Sequence, residues 1–166
     1  TRVNTISTAV PPSGETKDTE VTFDKYDSKG NIVQYTLKSG IPVTIIWGYN
    51  QTQPIAKIEG ATYAQVLAAL GITDISQADI YVKSNLDTDV ASEQTFIAAL
   101  DAFRTNSNLS AYQITTYSYD PLIGVTSITP PSGIREYYHY DTANRLDRVT
   151  DVNGNILKEN TYHYKP

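Results

Sequence analysis

The sequence predicts a mainly β (α+β) fold: consecutive antiparallel β-hairpins forming one extended twisted sheet, with a small helical insertion in one hairpin. Three observations carry this expectation. A Tyr-x-Tyr pair, usually followed by Asp, recurs at Tyr117–Asp120, Tyr138–Asp141 and Tyr162–Tyr164, with steps of 21 and then 24 residues. Between such pairs, Gly-marked turns separate stretches of period-two hydrophobicity, the pattern of half-buried strands. From residue 61 to 110 that pattern gives way to apolar residues at helical spacing. The expected organisation is a single domain over 1–166, with 61–110 inserted in it.

Along the chain, the first elements are a polar β-branched stretch, Thr1 to Ala9, and a turn at Pro11-Pro12-Ser13-Gly14. The same four residues recur at Pro130-Pro131-Ser132-Gly133. Proline fixes φ, serine forms local hydrogen bonds and glycine accepts φ > 0, so both are expected to be hairpin turns. A strand through Val21 and Phe23 reaches Tyr26, and Asp27 to Gly30 makes the next turn. Val33, Tyr35 and Leu37 then alternate with Ile32, Gln34 and Thr36. Past Ser39-Gly40, Ile41, Val43, Ile45, Trp47 and Tyr49 are expected on one face of the following strand. Pro54 to Gly60 and Ala111 to Tyr119 read as two strands of one hairpin whose tip is the insertion. Inside it, Thr62 to Leu70 is a short helix ended by Gly71, and Asp74-x-x-Gln77 caps a further turn. Ser92 is the expected N-cap of a helix from Glu93 to Thr105, with Phe96, Ile97, Leu100 and Phe103 on its apolar face. Two more units follow, with turns at Gly124, Gly133, Asn144 and Gly154; Asn is the best substitute for Gly in the left-handed region. Gly30, Gly40, Gly124, Gly133, Asn144 and Gly154 are thus the turn-defining residues.

The totals suit one domain with a real core. Of 166 residues, 40% are hydrophobic and 19% charged. Thirteen are Tyr, against three Phe and one Trp, an enrichment that favours strands. The net charge of −5, with no basic run, argues against a nucleic-acid or anionic-membrane partner. No apolar run approaches the ~18–20 residues of a membrane helix. The absence of Cys removes disulfides, thiolate metal sites and a Cys nucleophile. Methionine is absent even at position 1, so the chain is expected to begin at a processing boundary, with any signal peptide upstream.

Tyr-Asp-x-x-Gly-Asn at 26–31, Tyr-Asp-x-x-Asn-Arg-Leu at 140–146 and Asp151-x-x-Gly154-Asn155 resemble the YD repeats of bacterial rearrangement-hotspot (Rhs) proteins. Similar repeats occur in insecticidal toxin-complex proteins and in teneurins. The resemblance covers most of the chain outside 61–110. It implies a sheet of long consecutive hairpins, a secreted or cell-surface location, and neighbouring repeats of the parent protein as partners. In complete members such hairpins spiral into a shell that encloses a toxin or presents an adhesive surface. This chain holds about four or five hairpins, fewer than a closed shell needs. It also has Asn50 where Asp is usual, and Tyr26 lacks an aromatic two residues before it.

The strongest candidate site is aromatic. Aligned on their closing tyrosines, the units give Tyr49, Tyr119, Tyr140 and Tyr164, preceded two residues earlier by Trp47, Tyr117, Tyr138 and Tyr162. Rings at i and i+2 share a face, so in-register hairpins would build a two-row ladder. Cross-strand rungs that fix register are the favoured role. A platform for sugar rings, and hence a carbohydrate partner, is the alternative. His139 and His163 lack a fixed third ligand and read as solvated, so no metal or other cofactor is expected. Asp151-x-Asn153-x-Asn155 starts like a calcium loop, but Ile156 stands where Gly is required and Tyr162 where Glu is required. Turn hydrogen bonding explains it better, as it does Asp27, Asp120 and Asp141. There is no Gly-x-Ser-x-Gly, His-Glu-x-x-His or phosphate loop. The expected function is therefore non-enzymatic: a structural repeat segment contributing hairpins to a shell or stalk.

Overall fold

The computed structural model describes residues 4–7 and 19–162. The first Pro-Pro-Ser-Gly turn, His163 and Tyr164 lie outside the described residues.

Among the described residues ten strands form one antiparallel sheet in strict sequence order: β1 (Asn4–Ser7), β2 (Thr19–Tyr26), β3 (Ile32–Leu37), β4 (Pro42–Gly48), β5 (Gln53–Glu59), β6 (Gln113–Asp120), β7 (Gly124–Thr129), β8 (Glu136–Tyr140), β9 (Leu146–Thr150) and β10 (Ile156–Glu159). The order runs β1 to β10 without closing, so both end strands are edges. Each strand pairs with its chain neighbours, as hairpins dictate. The helical insertion joins β5 to β6, which nevertheless pair directly, Ala56 opposite Thr116 and Ile58 opposite Ile114. It is thus a hairpin whose tip has been replaced by helices.

The insertion holds α1 (Tyr63–Leu70), α2 (Asp79–Ser84) and α3 (Val90–Arg104), with 3-10 turns at Ile75–Gln77 and Ser107–Leu109. Thr62 and Gln65 form a capping box on α1, and Gly71 ends it in the left-handed conformation. Asp74 and Gln77 cap the first 3-10 turn in the same way. The helices differ from expectation in two places. The long helix starts at Val90, not Glu93, because Asp89 is its N-cap and Ser92 occupies the third helical position, closing the box onto the Asp89 N–H at 2.9 Å. The helix at Asp79–Ser84 is unexpected from the sequence, because six residues are too few for a periodic signal.

The insertion folds back over one face of β4, β5 and β6. Ile46, Ala56, Ile58 and Ile114 from the sheet pack with Val66, Ile80, Phe96, Leu100 and Leu109 from the insertion, and Phe96 is fully buried. This apolar burial attaches the insertion. Farther along, α3 meets β6 and β7 through polar groups instead. Arg104 donates to the carbonyls of Thr129 (3.0 Å) and Pro130 (2.6 Å), and Thr126 donates to Glu93 (2.7 Å).

Candidate functional site

The turns are the most regular feature. At Asp27, Asp141 and Asp151, one carboxylate oxygen accepts the N–H groups two and four residues on, at 2.8–3.0 Å. The other oxygen accepts from the side chain at the fourth position: Asn31 (2.9 Å), Arg145 (2.9 Å) and Asn155 (2.8 Å). The residue at the third position has positive φ: 86° at Gly30, 58° at Asn144 and 82° at Gly154. Gly40, Gly124 and Gly133 also have positive φ. The Arg145 side chain holds the Asp141 carboxyl below the usual carboxylate range, and the Asn155 side chain does the same to Asp151. At Asp120 the equivalent bond is Leu122 N–H to the carboxylate, 2.9 Å. The calcium-like spacing at Asp151 is therefore a self-contained turn.

Among the described residues the aromatic rows do not form the two-row ladder. Trp47, Tyr117 and Tyr138 stand on β4, β6 and β8, with β5 and β7 between them. Rings on alternate strands are about 9–10 Å apart, too far to stack as rungs. Tyr49 leaves the sheet altogether. Tyr49, Asn50 and Gln51 all have left-handed φ (50°, 57° and 63°), which turns the Tyr49 ring toward the insertion. There it meets Phe96 edge-on at 5.8 Å and Tyr119 at 5.7 Å. Tyr117 touches Tyr119 at 6.5 Å. Trp47 donates to the Ile32 carbonyl at 2.9 Å. Tyr140 donates to the Val125 carbonyl at 2.7 Å and lies over Gly124, where a Cβ would come within 2.9 Å of its hydroxyl. Tyr162 stacks on the Arg145 guanidinium at 4.3 Å. Trp47, Tyr140 and Tyr162 thus each fasten neighbouring strands individually, Tyr49 reaches into the insertion, and Tyr138 donates to Glu136 on its own strand at 3.2 Å.

Two clefts flank the insertion. The first, about 490 Å³, gathers four carboxylates: Asp87, Asp89, Glu93 and Asp120. Behind its Asp87 and Tyr119 lies a buried relay in which the Tyr119 N–H donates to the Tyr49 hydroxyl (2.9 Å), which donates to Asp87 (2.7 Å). Burial raises the Asp87 pKa from its ordinary value; Glu93, Asp89 and Asp120 add to this and the Tyr49 bond opposes it. Burial also raises the pKa of Tyr49 and Tyr119, so neither phenol ionises near neutrality. Two carboxylates across a cleft would suit glycoside hydrolysis, but each of these four already serves the fold. Asp87 holds Tyr49, Asp89 caps α3, Glu93 accepts from Thr126 and Asp120 closes its turn. No group of three or more His, Cys, Asp or Glu among the described residues is placed to hold a metal ion. His139 is engaged with Thr150 at 2.9 Å.

The second cleft, about 410 Å³, lies between the β2–β3 hairpin and the insertion. It joins Lys25 and Asp27 to Tyr63, Asp74 and Tyr81, with Gln51 from the left-handed turn. Neither Gln51 nor the insertion tyrosines figure among the sequence candidates, because their proximity arises only from the fold-back. The one available signal was Gly48, a glycine inside a strand pattern, which marks close backbone approach. Ser84 of α2 sits directly on it.

No helix among the described residues is long and apolar enough to cross a membrane, which leaves strand-based spanning unaddressed. Compared with protein-family models and with curated proteins, the chain matches none.

Proposed function

We propose that this chain is a non-enzymatic structural segment of a secreted or cell-surface YD-repeat protein, supplying hairpins to a longer β-sheet shell or stalk. The observation that carries the reading is the reuse of one Asp-centred turn at residues 27–31, 141–145 and 151–155 within a sheet of strictly consecutive strands. Such a sheet grows by adding hairpins without rearranging those already present. Its last strand supports the same reading. β10 is exposed along its length, and Ile156 and Leu157 are half-exposed apolar side chains on an unpaired edge. Soluble proteins blunt such edges unless another strand covers them. Neighbouring hairpin tips are also bonded to each other: Asn31 donates to the Gln51 carbonyl (2.9 Å) and Gln51 to Asp27 (3.2 Å).

The test is to extend the chain beyond Pro166 by a second copy of residues 140–162 and follow amide hydrogen exchange. Slowed exchange at Ile156–Glu159 is expected, because the added strand pairs with that edge. Unchanged exchange there, with the added residues unstructured, would refute the structural-segment reading.

A further inference from the structure

We propose that the cleft between the β2–β3 hairpin and the insertion is a binding site for a saccharide, with room for one or two neutral sugar rings. Its volume, about 410 Å³, falls within the range of small-molecule sites. Its walls come from distant segments, and each is fixed independently of any ligand. Gln51 is bonded to Asp27, the Tyr63 N–H to the Gln34 side chain at 2.8 Å, and the Asp74 loop by its own capping box. A preformed wall spares a ligand the cost of ordering it.

The chemistry left over in the cleft suits a polyol. Among the described residues, the hydroxyls of Tyr63 and Tyr81 have no hydrogen-bond partner, although the fold half-buries both side chains. Asp74 uses one carboxylate oxygen on Ser76, at 2.9 Å to its N–H, and leaves the other open. Lys25 holds its ammonium 4.6 Å from the centre of the Tyr63 ring. Two phenol hydroxyls, an open carboxylate oxygen and an ammonium thus line one cleft beside tyrosine rings, a mixture of donors and acceptors that a sugar matches with its hydroxyls. Other ligand classes fit less well. Asp27 and Asp74 outweigh the single Lys25 charge, which disfavours an anion. Of the lining side chains only Val33, Leu67 and Ile75 are wholly apolar, too few to hold a hydrophobic ligand.

The experiment is saturation-transfer NMR on the intact chain with methyl glucoside, methyl galactoside, N-acetylglucosamine and cellobiose, with inorganic phosphate as the contrasting probe. At least one sugar should receive saturation and shift the backbone amides of Gln51 and Tyr63. Tyr63→Phe and Tyr81→Phe keep the rings and the packing but delete the hydroxyls, and together should weaken binding roughly tenfold or more, the factor set by the two lost hydrogen bonds. Tyr138→Phe, on the far strand β8, should leave it unchanged. The proposal is overturned if none of the four sugars binds, if binding survives the double variant undiminished, or if phosphate alone moves those amides. Hydrogen exchange at β10 is insensitive to all these outcomes, so this site and the structural role stand or fall separately.

Discussion

Gly48→Ala tests how the insertion sits on the sheet, because two effects of opposite sign compete at that position. Gly48 lies in β4 with ordinary extended backbone, so alanine is conformationally allowed there. In an open strand that exchange stabilises by roughly 0.5–1 kcal/mol, through reduced freedom of the unfolded chain. Here a Cβ would lie 2.8 Å from both Ile55 Cγ2 and Ser84 Cβ, and closer still to Ser84 Oγ. None of these atoms can retreat cheaply: Ile55 is fully buried in the core and Ser84 is tied to the Tyr81 carbonyl at 2.8 Å. Overpacking of this kind costs about 1–3 kcal/mol, so the clash outweighs the entropic gain and the net effect is about 1–2 kcal/mol of destabilisation. For a chain of this size that lowers the thermal midpoint by roughly 2–8 °C, readable by circular dichroism. Combining the change with Ser84→Gly removes both obstructing atoms of α2. The pair should then show a favourable coupling of at least about 0.5 kcal/mol beyond additivity. A midpoint that is unchanged or raised in Gly48→Ala would refute the close packing of α2 on β4.

Gly154 has φ of 82°, and a Cβ placed there would meet no atom within 4 Å, so Gly154→Val isolates backbone strain and should cost about 1–2 kcal/mol in chemical denaturation. Asn144→Gly, by contrast, should stay within about 0.5 kcal/mol of the parent chain. Equal stability of the Gly154→Val chain would remove the left-handed turn. Asp87 has a folded pKa above its unfolded value, so its protonation stabilises the fold as pH falls through that raised pKa. The stability of the parent chain relative to Asp87→Asn should accordingly rise as pH falls from neutrality toward the ordinary carboxylate range; a flat or falling difference in thermal midpoint contradicts the assignment. Tyr49→Phe severs the bonds to Asp87 and to the Tyr119 N–H in a buried site and should cost about 1–3 kcal/mol. Tyr162→Phe, which loses one bond at an exposed ring, should cost clearly less, and equal losses would show that the buried relay contributes nothing special.

Much of the fold was legible because its signals are local. Alternation, tight turns and caps each depend on a few adjacent residues, so the hairpin order and the place of the insertion could be read from Gly30, Gly40, Gly71 and the Tyr-x-Tyr spacing. The aromatic rows misled for an equally physical reason. Alignment on closing tyrosines compares equivalent places in successive units, but each unit contributes two strands, so equivalent places fall two strands apart. The side on which Tyr49 lies was hidden as well. It depends on left-handed φ at three consecutive residues without a glycine, and local propensity argues against that conformation. Both clefts were invisible in sequence, since their lining residues meet only after the insertion folds back.

The departure at Asn50 ties these observations together. Where Asp follows the closing tyrosine at residues 27, 120 and 141, its carboxylate satisfies turn N–H groups from within the turn. Asn50 does not play this part, and its turn adopts a conformation that costs of order 1–2 kcal/mol per residue. Bonds from outside the turn offset that cost. Ser84 accepts the Tyr49 N–H at 3.3 Å, Asn85 accepts the Asn50 N–H at 2.6 Å, and Asp87 receives the Tyr49 hydroxyl. From the other side, Lys29 and Asn31 of the preceding tip donate to the Asn50 and Gln51 carbonyls. At about 0.5–1.5 kcal/mol net for each bond, the set is of the same size as the strain it holds. The insertion therefore does more than cover one face of the sheet. It supplies, through Ser84, Asn85 and Asp87, the turn-closing contacts that the Asp-centred units carry internally, and the same turn places Gln51 in the cleft proposed to bind sugar.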